Sequence, residues 1–440
     1  MINKNNTKFL NICFNLIIFI PLLTYLLGFY LNENSAGMGE FASDSTWIKS
    51  NINIFLHNNL QDAIFHPDLF GNRTPLIYIL NKFLNPFFGD FEKYRLFVFL
   101  MSLLGPLFFY KFLTIKFDTV DKKVLFLFAS IIYLSPYYRT SGFWALNENY
   151  SIISMIISFL FLEKLLKFEN RILTNVLFVI FFSSLTVYFD LKFLIVPIVC
   201  FFSIMFKKIS VKYKFLTLLT YFILSLPYFY LIYRWNGIVP PATQLANPNT
   251  VTSIGDIKNM YFINIGYAGT LVSFYLFPMV FLTGSYKEIL KNLKNFLFHK
   301  RSLFMLIVLM TYVCYGFFNF DFEKITVTNY WIGFGVVHKL SFLITDEIFL
   351  REVITYIFFI FSFLLIVYFY YLNKQDFYLI SYFLLVSLFL WPLMQEYFDP
   401  IVFIVSAVLF KSFKLINKPN TLLITVYQGV FLLIANIYYS

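Results

Sequence analysis

The feature that most limits this chain is a succession of apolar runs near the length of a bilayer crossing. They lie at 9–31, 95–115, 124–138, 149–163, 172–189, 193–206, 215–233, 266–283, 302–318, 352–372, 377–394, 400–416 and 420–438. A helix needs ~20 mostly apolar residues to span hydrocarbon. The runs at 124–138, 149–163 and 193–206 are short for this, and read as tilted, broken or re-entrant. The expected fold is all-α: a polytopic transmembrane helical protein of about 11–13 spans, one integral membrane domain over 1–440. The first run reads as an uncleaved anchor, being too long for a signal peptide and followed by no A-x-A site.

Charge supplies the orientation. Charged residues make up 13 % of the chain, against roughly 25 % in a soluble domain. The net charge of +11 could point to nucleic acid, but the basic residues are distributed as a topology signal. With the N-terminus in the cytoplasm, most of the 34 lysines and arginines fall in short loops on the cytoplasmic side. The long loops, 32–94, 234–265 and 319–351, then all fall on the outer face, and no nucleic-acid partner is expected. Bacterial inner (cytoplasmic) membrane is the expected location. Cys13, Cys200 and Cys314 sit apart inside apolar runs, suggesting neither a disulfide framework nor a zinc site. No P-loop, G-x-G-x-x-G, H-E-x-x-H or G-x-S-x-G is present. A divalent cation is left open, since outer carboxylates could bind Mg²⁺ or Ca²⁺ although no spacing demands it.

The loop at 32–94 is the feature most suggestive of chemistry. A loop this long carries function or is disordered, and its interleaved Trp47, Ile48, Ile52, Ile54, Phe55 and Leu56 argue for order. Phe41, Ile48, Ile52 and Phe55 recur near helical spacing, which predicts a helix lying on the membrane surface. Asp44 near its start has two readings: an N-cap, or a general base whose partial desolvation makes it a better proton acceptor. Glu40 is the rival for that role. HPDLFGNRTPLIYIL follows, with His66 and Arg73 as candidate phosphate binders, or Arg73 as a partner for Asp68.

Three further outer segments add candidates. SPYYRTSGFWALNENYS holds Arg139 and Glu148 among Tyr137, Tyr138, Trp144 and Tyr150. The aromatics read as an interfacial belt, and the same mixture suits a sugar: flat apolar faces for the ring, carboxylate and amide for its hydroxyls. TVYFDLKFLIVP places Asp190 and Lys192 in a tight turn, most simply as solvated charges, with Lys192 also a candidate phosphate contact. YRWNGIVPP opens a Pro- and Gly-rich loop, carrying Arg234, that could cover a site.

Taken together, Asp44 in GEFASDSTWI, RTPLIYIL, SGFWALNENYS, YRWNGIVPP and QEYFDPIVF resemble the GT-C superfamily of membrane glycosyltransferases. The last two are similar to segments of the dolichyl-phosphate-glucose α-1,2-glucosyltransferase family, with Glu396 where that pattern has an arginine. The resemblance implies a GT-C-like fold whose outer loops carry short interfacial helices. It implies a polyprenyl-phosphate-linked sugar donor, a glycan or lipid acceptor, and inverting single displacement on the outer face. Asp44 (or Glu40) would be the base. Arg73, Arg139, Lys192 or Arg234 would neutralise the departing phosphate, with His66 and Glu148 nearby. An O-antigen-type polymerase and a non-enzymatic transporter or flippase of lipid-linked glycans remain the competing readings.

Overall fold

A computed structural model describes residues 14–37, 39, 43–71, 73–168, 170–246, 261–320, 322, 333–390 and 393–439. Among these the chain is helical, with no strand. Seven helices are long and apolar enough to cross a membrane: Phe91–Lys116, Glu148–Lys167, Ile172–Phe189, Val211–Trp235, Lys300–Asn319, Ile348–Leu372 and Lys418–Tyr439. Phe14–Tyr30, Leu191–Phe206 and Gly335–Ile344 are apolar but shorter. This is the architecture of a helical polytopic membrane protein.

Seven full-length helices are fewer than the expected 11–13 spans, and the difference has local causes. The run at 124–138 divides into a helix Lys122–Ser130, a 3₁₀ turn Ile131–Leu134 and a new helix from Pro136. The run at 266–283 likewise stops at Leu276 and continues as a 3₁₀ turn from Pro278. Proline has no N–H to continue a helix, but fits the first position of a new one. The short run at 149–163 instead extends by one residue to Glu148 and by a full turn, Lys164–Lys167, at its other end. Hydropathy does not mark that last turn, because Lys164 and Lys167 are charged.

The chain divides into two compact units, Met1–Asn247 with Asn417–Ser440, and Pro248–Ile416. In the first, Glu148–Lys167 packs along Ile172–Phe189 and also against Phe91–Lys116. All eight residues of the helix Pro136–Phe143 are buried. Its start is fixed by Ser135, whose side chain accepts from the Tyr138 N–H at 3.0 Å. Tyr138 and Trp144, expected in an interfacial belt, are therefore core residues. By contrast, Val211–Trp235 has few fully buried residues, as suits a helix with one side in lipid.

The second unit gathers Asn264–Leu276, Lys300–Asn319, Ile348–Leu372 and Lys374–Ser387. Polar side chains close its chain reversals. Asn264 donates to the carbonyls of Ser387 (3.0 Å) and Leu390 (2.6 Å). Buried Asp376 accepts from the N–H groups of Lys411 (2.9 Å) and Ser412 (3.1 Å).

The helix Ser43–His57 differs from its expected setting. Ile48, Ile52 and Phe55 do form one face, but that face is buried against Ile77, Tyr78 and Tyr94 of the protein. Helical periodicity tells that a face is apolar and not whether protein or lipid covers it. Phe41 lies outside the described residues.

Candidate functional site

Three loops that are far apart in sequence meet around one set of largely buried charges in the first unit. Arg73 comes from the loop before the helix Leu76–Leu84. Glu148 is the first residue of its helix, and Asp190 and Lys192 form the turn after Phe189. The Arg73 Nη2 lies 2.9 Å from the Glu148 Oε1. The Lys192 ammonium lies 3.3 Å from the Asp190 carboxylate and donates to the Tyr137 hydroxyl at 3.1 Å. Ser141 donates to the other Glu148 oxygen at 3.3 Å. Two cations thus face two carboxylates.

Desolvation makes such a group costly unless each charge is matched. Burial is the largest influence on Arg73 and works against its charge, but Glu148 and Asp190 together outweigh it and hold the guanidinium firmly protonated. Among the described residues, the Arg73 Nη1 is buried without an acceptor, and the nearby Asn147 Oδ1 is buried without a donor. Buried donors are nearly always paired, so this nitrogen could accommodate an acceptor oxygen.

The surrounding polar groups hold this arrangement. Asn51 grips the Phe70 backbone on both sides, donating to its carbonyl at 2.6 Å and accepting from its N–H at 3.1 Å. It also donates to the Tyr78 hydroxyl at 2.9 Å, and Asn147 donates to the same hydroxyl at 3.2 Å. Thr74 donates to the Tyr188 carbonyl at 2.6 Å, tying the Arg73 loop to the Asp190 turn. Gly71, at φ +142°, donates to Thr243 at 2.8 Å, so the loop following Trp235 sits on the Arg73 loop.

Asp44 occupies the first turn of the helix Ser43–His57 and is half-buried. It lies seven residues before Asn51, two turns along the same face and about 10 Å away along the axis. Trp47 stacks on Phe70 with ring centroids 4.1 Å apart. The face carrying Asp44 and Asn51 is thus the one turned to the Arg73 loop. Glu40 lies outside the described residues.

The other expected residues are placed differently. Arg73 pairs with Glu148 and not with Asp68; His66 lies 3.9 Å from Asp68 instead. Asp190 and Lys192, expected to be solvated, are instead buried and largely buried, with side chains 8 % and 12 % exposed. Arg234 is exposed, packing over the Phe65 ring at 4.4 Å and donating to the Tyr230 hydroxyl at 3.2 Å.

Arg139 belongs to a separate buried pair. Its Nε donates to Glu33 at 2.7 Å and its Nη2 to the second Glu33 oxygen. The carbonyls of Tyr133 (3.0 Å) and Thr24 (2.8 Å) take further N–H groups. All three nitrogens have protein acceptors, so Arg139 braces the first helix against the buried helix Pro136–Phe143 and does not join Arg73. The sequence showed Glu33 as one loop acid among several, and nothing local marks it as the partner of a residue so distant. Tyr78, Asn51, Asn147 and Ser141 were also unmarked, being common residues without a motif.

Among the described residues no three His, Cys, Asp or Glu side chains come together to hold a metal ion. The chain matches no protein-family model, no curated protein and no solved structure.

Proposed function

We propose that this membrane protein is a glycosyltransferase of the GT-C type, moving a sugar from a polyprenyl-phosphate donor to a glycan or lipid acceptor. The observation that carries the reading is Arg73, its side chain 15 % exposed, held by Glu148 beside Lys192 and Asp190, with one buried guanidinium nitrogen lacking an acceptor among the described residues. All these residues come from loops that the charge alternation assigns to one face, the outer one, with the N-terminus cytoplasmic and the chain in a bacterial cytoplasmic membrane.

In this reading Asp44 takes the proton of the acceptor hydroxyl. The acceptor oxygen bonds to the anomeric carbon from the side opposite the phosphate. The bond from that carbon to the phosphate oxygen breaks, and its electron pair leaves with polyprenyl phosphate. The Arg73 Nη1 stabilises the charge that grows on the departing oxygen, in a setting of low polarity where such a contact is strong. Arg234 is exposed and His66 partly so.

The test is sugar transfer by the purified protein in lipid, across a panel of polyprenyl-phosphate sugars. Asp44→Asn keeps size and hydrogen bonding but removes basicity, and should lower the rate by about 10²–10⁴-fold. Transfer undiminished by Asp44→Asn would remove Asp44 as base. Movement of a lipid-linked glycan across vesicles, with no donor consumed, would replace the enzyme reading with a transporter; polymerisation of a lipid-linked repeat would favour the polymerase.

A further inference from the structure

The second unit carries a basic helix, Tyr286–Phe296, just before the apolar helix Lys300–Asn319. A capping box fixes its start: Glu288 accepts from the Ser285 N–H (2.7 Å) and hydroxyl (2.8 Å). Its surface has three stripes. Ile289 and Phe296 are buried, and Phe296 packs with Val367 and Tyr368. Tyr286, Leu290, Leu293 and Leu297 recur at helical spacing and are all exposed. Lys287, Lys291 and Lys294 form a third stripe beside the apolar one, also exposed. A helix already seated on its protein by one face has no folding reason to present a second apolar face flanked by lysines. A membrane surface supplies both partners: acyl chains for the leucines, anionic headgroups for the lysines.

Beside this helix is a cleft of about 470 Å³, bounded by Ser285, Glu288, Lys291, Asn292 and Lys414. Lys414 is not placed by chance, because its N–H and that of Leu415 both donate to the Leu282 carbonyl, at 2.8 and 2.9 Å. Glu288 also lines the cleft, but its carboxylate is turned to Ser285 and lies in the field of Lys414. The two lysines and the Asn292 amide are donors suited to a phosphodiester. We propose that the helix Tyr286–Phe296 lies in the plane of the membrane interface, and that the cleft between Lys291 and Lys414 holds the headgroup of an anionic glycerophospholipid. By the charge alternation this is the cytoplasmic leaflet, away from the proposed sugar-transfer chemistry and independent of it.

The full chain, reconstituted with equal phosphatidylglycerol and phosphatidylcholine and released into mild detergent, is examined by native mass spectrometry for retained lipid. Wild type should retain phosphatidylglycerol preferentially. Lys291→Gln/Lys414→Gln, at exposed positions that leave folding intact, should weaken that preference roughly thirtyfold, about fivefold per lysine. Leu290→Gln/Leu293→Gln should lower retention of both lipids. Equal retention of the two lipids by wild type, or an unchanged preference in the lysine variant, overturns the headgroup site. Retention unaffected by the leucine variant overturns the in-plane helix. In delipidated protein, inorganic phosphate alone should give no lysine-dependent thermal shift; a shift matching that of phosphatidylglycerol would show a free-anion site and overturn the lipid assignment.

Discussion

Removing both members of the Arg73–Glu148 pair should cost less than the sum of removing each alone. At 2.9 Å the attraction is about 6 kcal/mol at an effective dielectric near 20. Much of this is offset by taking both groups out of water, so the pair adds little net stability over an apolar replacement. Glu148→Leu leaves two cations facing Asp190 alone, and Arg73→Met leaves two carboxylates facing Lys192 alone. Each single variant should lose about 3–5 kcal/mol, the usual penalty for stranding a buried charge. In a domain of this size that is a fall on the order of 10 °C in the unfolding midpoint. The double variant restores charge balance and should recover at least ~1.5 kcal/mol relative to the summed single effects, within the range seen for contacting residues. The assay is thermal unfolding in lipid nanodiscs, followed by tryptophan fluorescence at one scan rate. If the double variant falls by the full sum of the singles, the two groups are not coupled and the network described above is not what holds these loops.

Two further outcomes follow from local geometry. Gly71→Ala meets no close atom, the nearest being the Arg73 Cγ at 3.6 Å, but φ +142° is closed to alanine. The loop should shift and carry Arg73 with it, reducing sugar transfer while the unfolding midpoint drops by only a few degrees. Glu288 is held below its usual 4.5 by the Ser285 backbone and hydroxyl. Because its folded value is depressed, its support for the helix Tyr286–Phe296 is complete above pH 4.5 and fades as pH falls through the lower folded value. Amide exchange in that helix, corrected for intrinsic rate, should rise only on acidification below 4.5, and Glu288→Gln should abolish that dependence.

Much of the helical layout was legible because apolar runs and basic loop ends report directly on the cost of placing charge in lipid. The segments 172–189, 302–318 and 352–372 correspond closely to Ile172–Phe189, Lys300–Asn319 and Ile348–Leu372. The site was legible one residue at a time. Arg73, Glu148 and Lys192 stood out as ionisable groups beside apolar runs, and they do converge. Their pairing was not legible, because neither Arg73 nor Arg139 carries a local sign of which acid it will meet. Asp68, five residues from Arg73, looked like the nearer choice; Glu148 won because the structure buries both ends, where an unmatched charge is intolerable. Arg139 drew attention by the same rule and proved to be bracing, since burial of an arginine does not distinguish a ligand contact from a structural clamp.

The spread of the charge network along the chain also constrains assembly. Arg73 is synthesised well before Glu148, and Glu148 before Asp190 and Lys192. A nascent chain that has made only the first of these carries a cation with no buried partner and keeps its loop in water. The first loop therefore docks late, once the turn at Asp190 has emerged and the four charges can leave water together. Chains halted before that turn should leave the segment around Gly71 open to protease, while the helices on either side are already inserted.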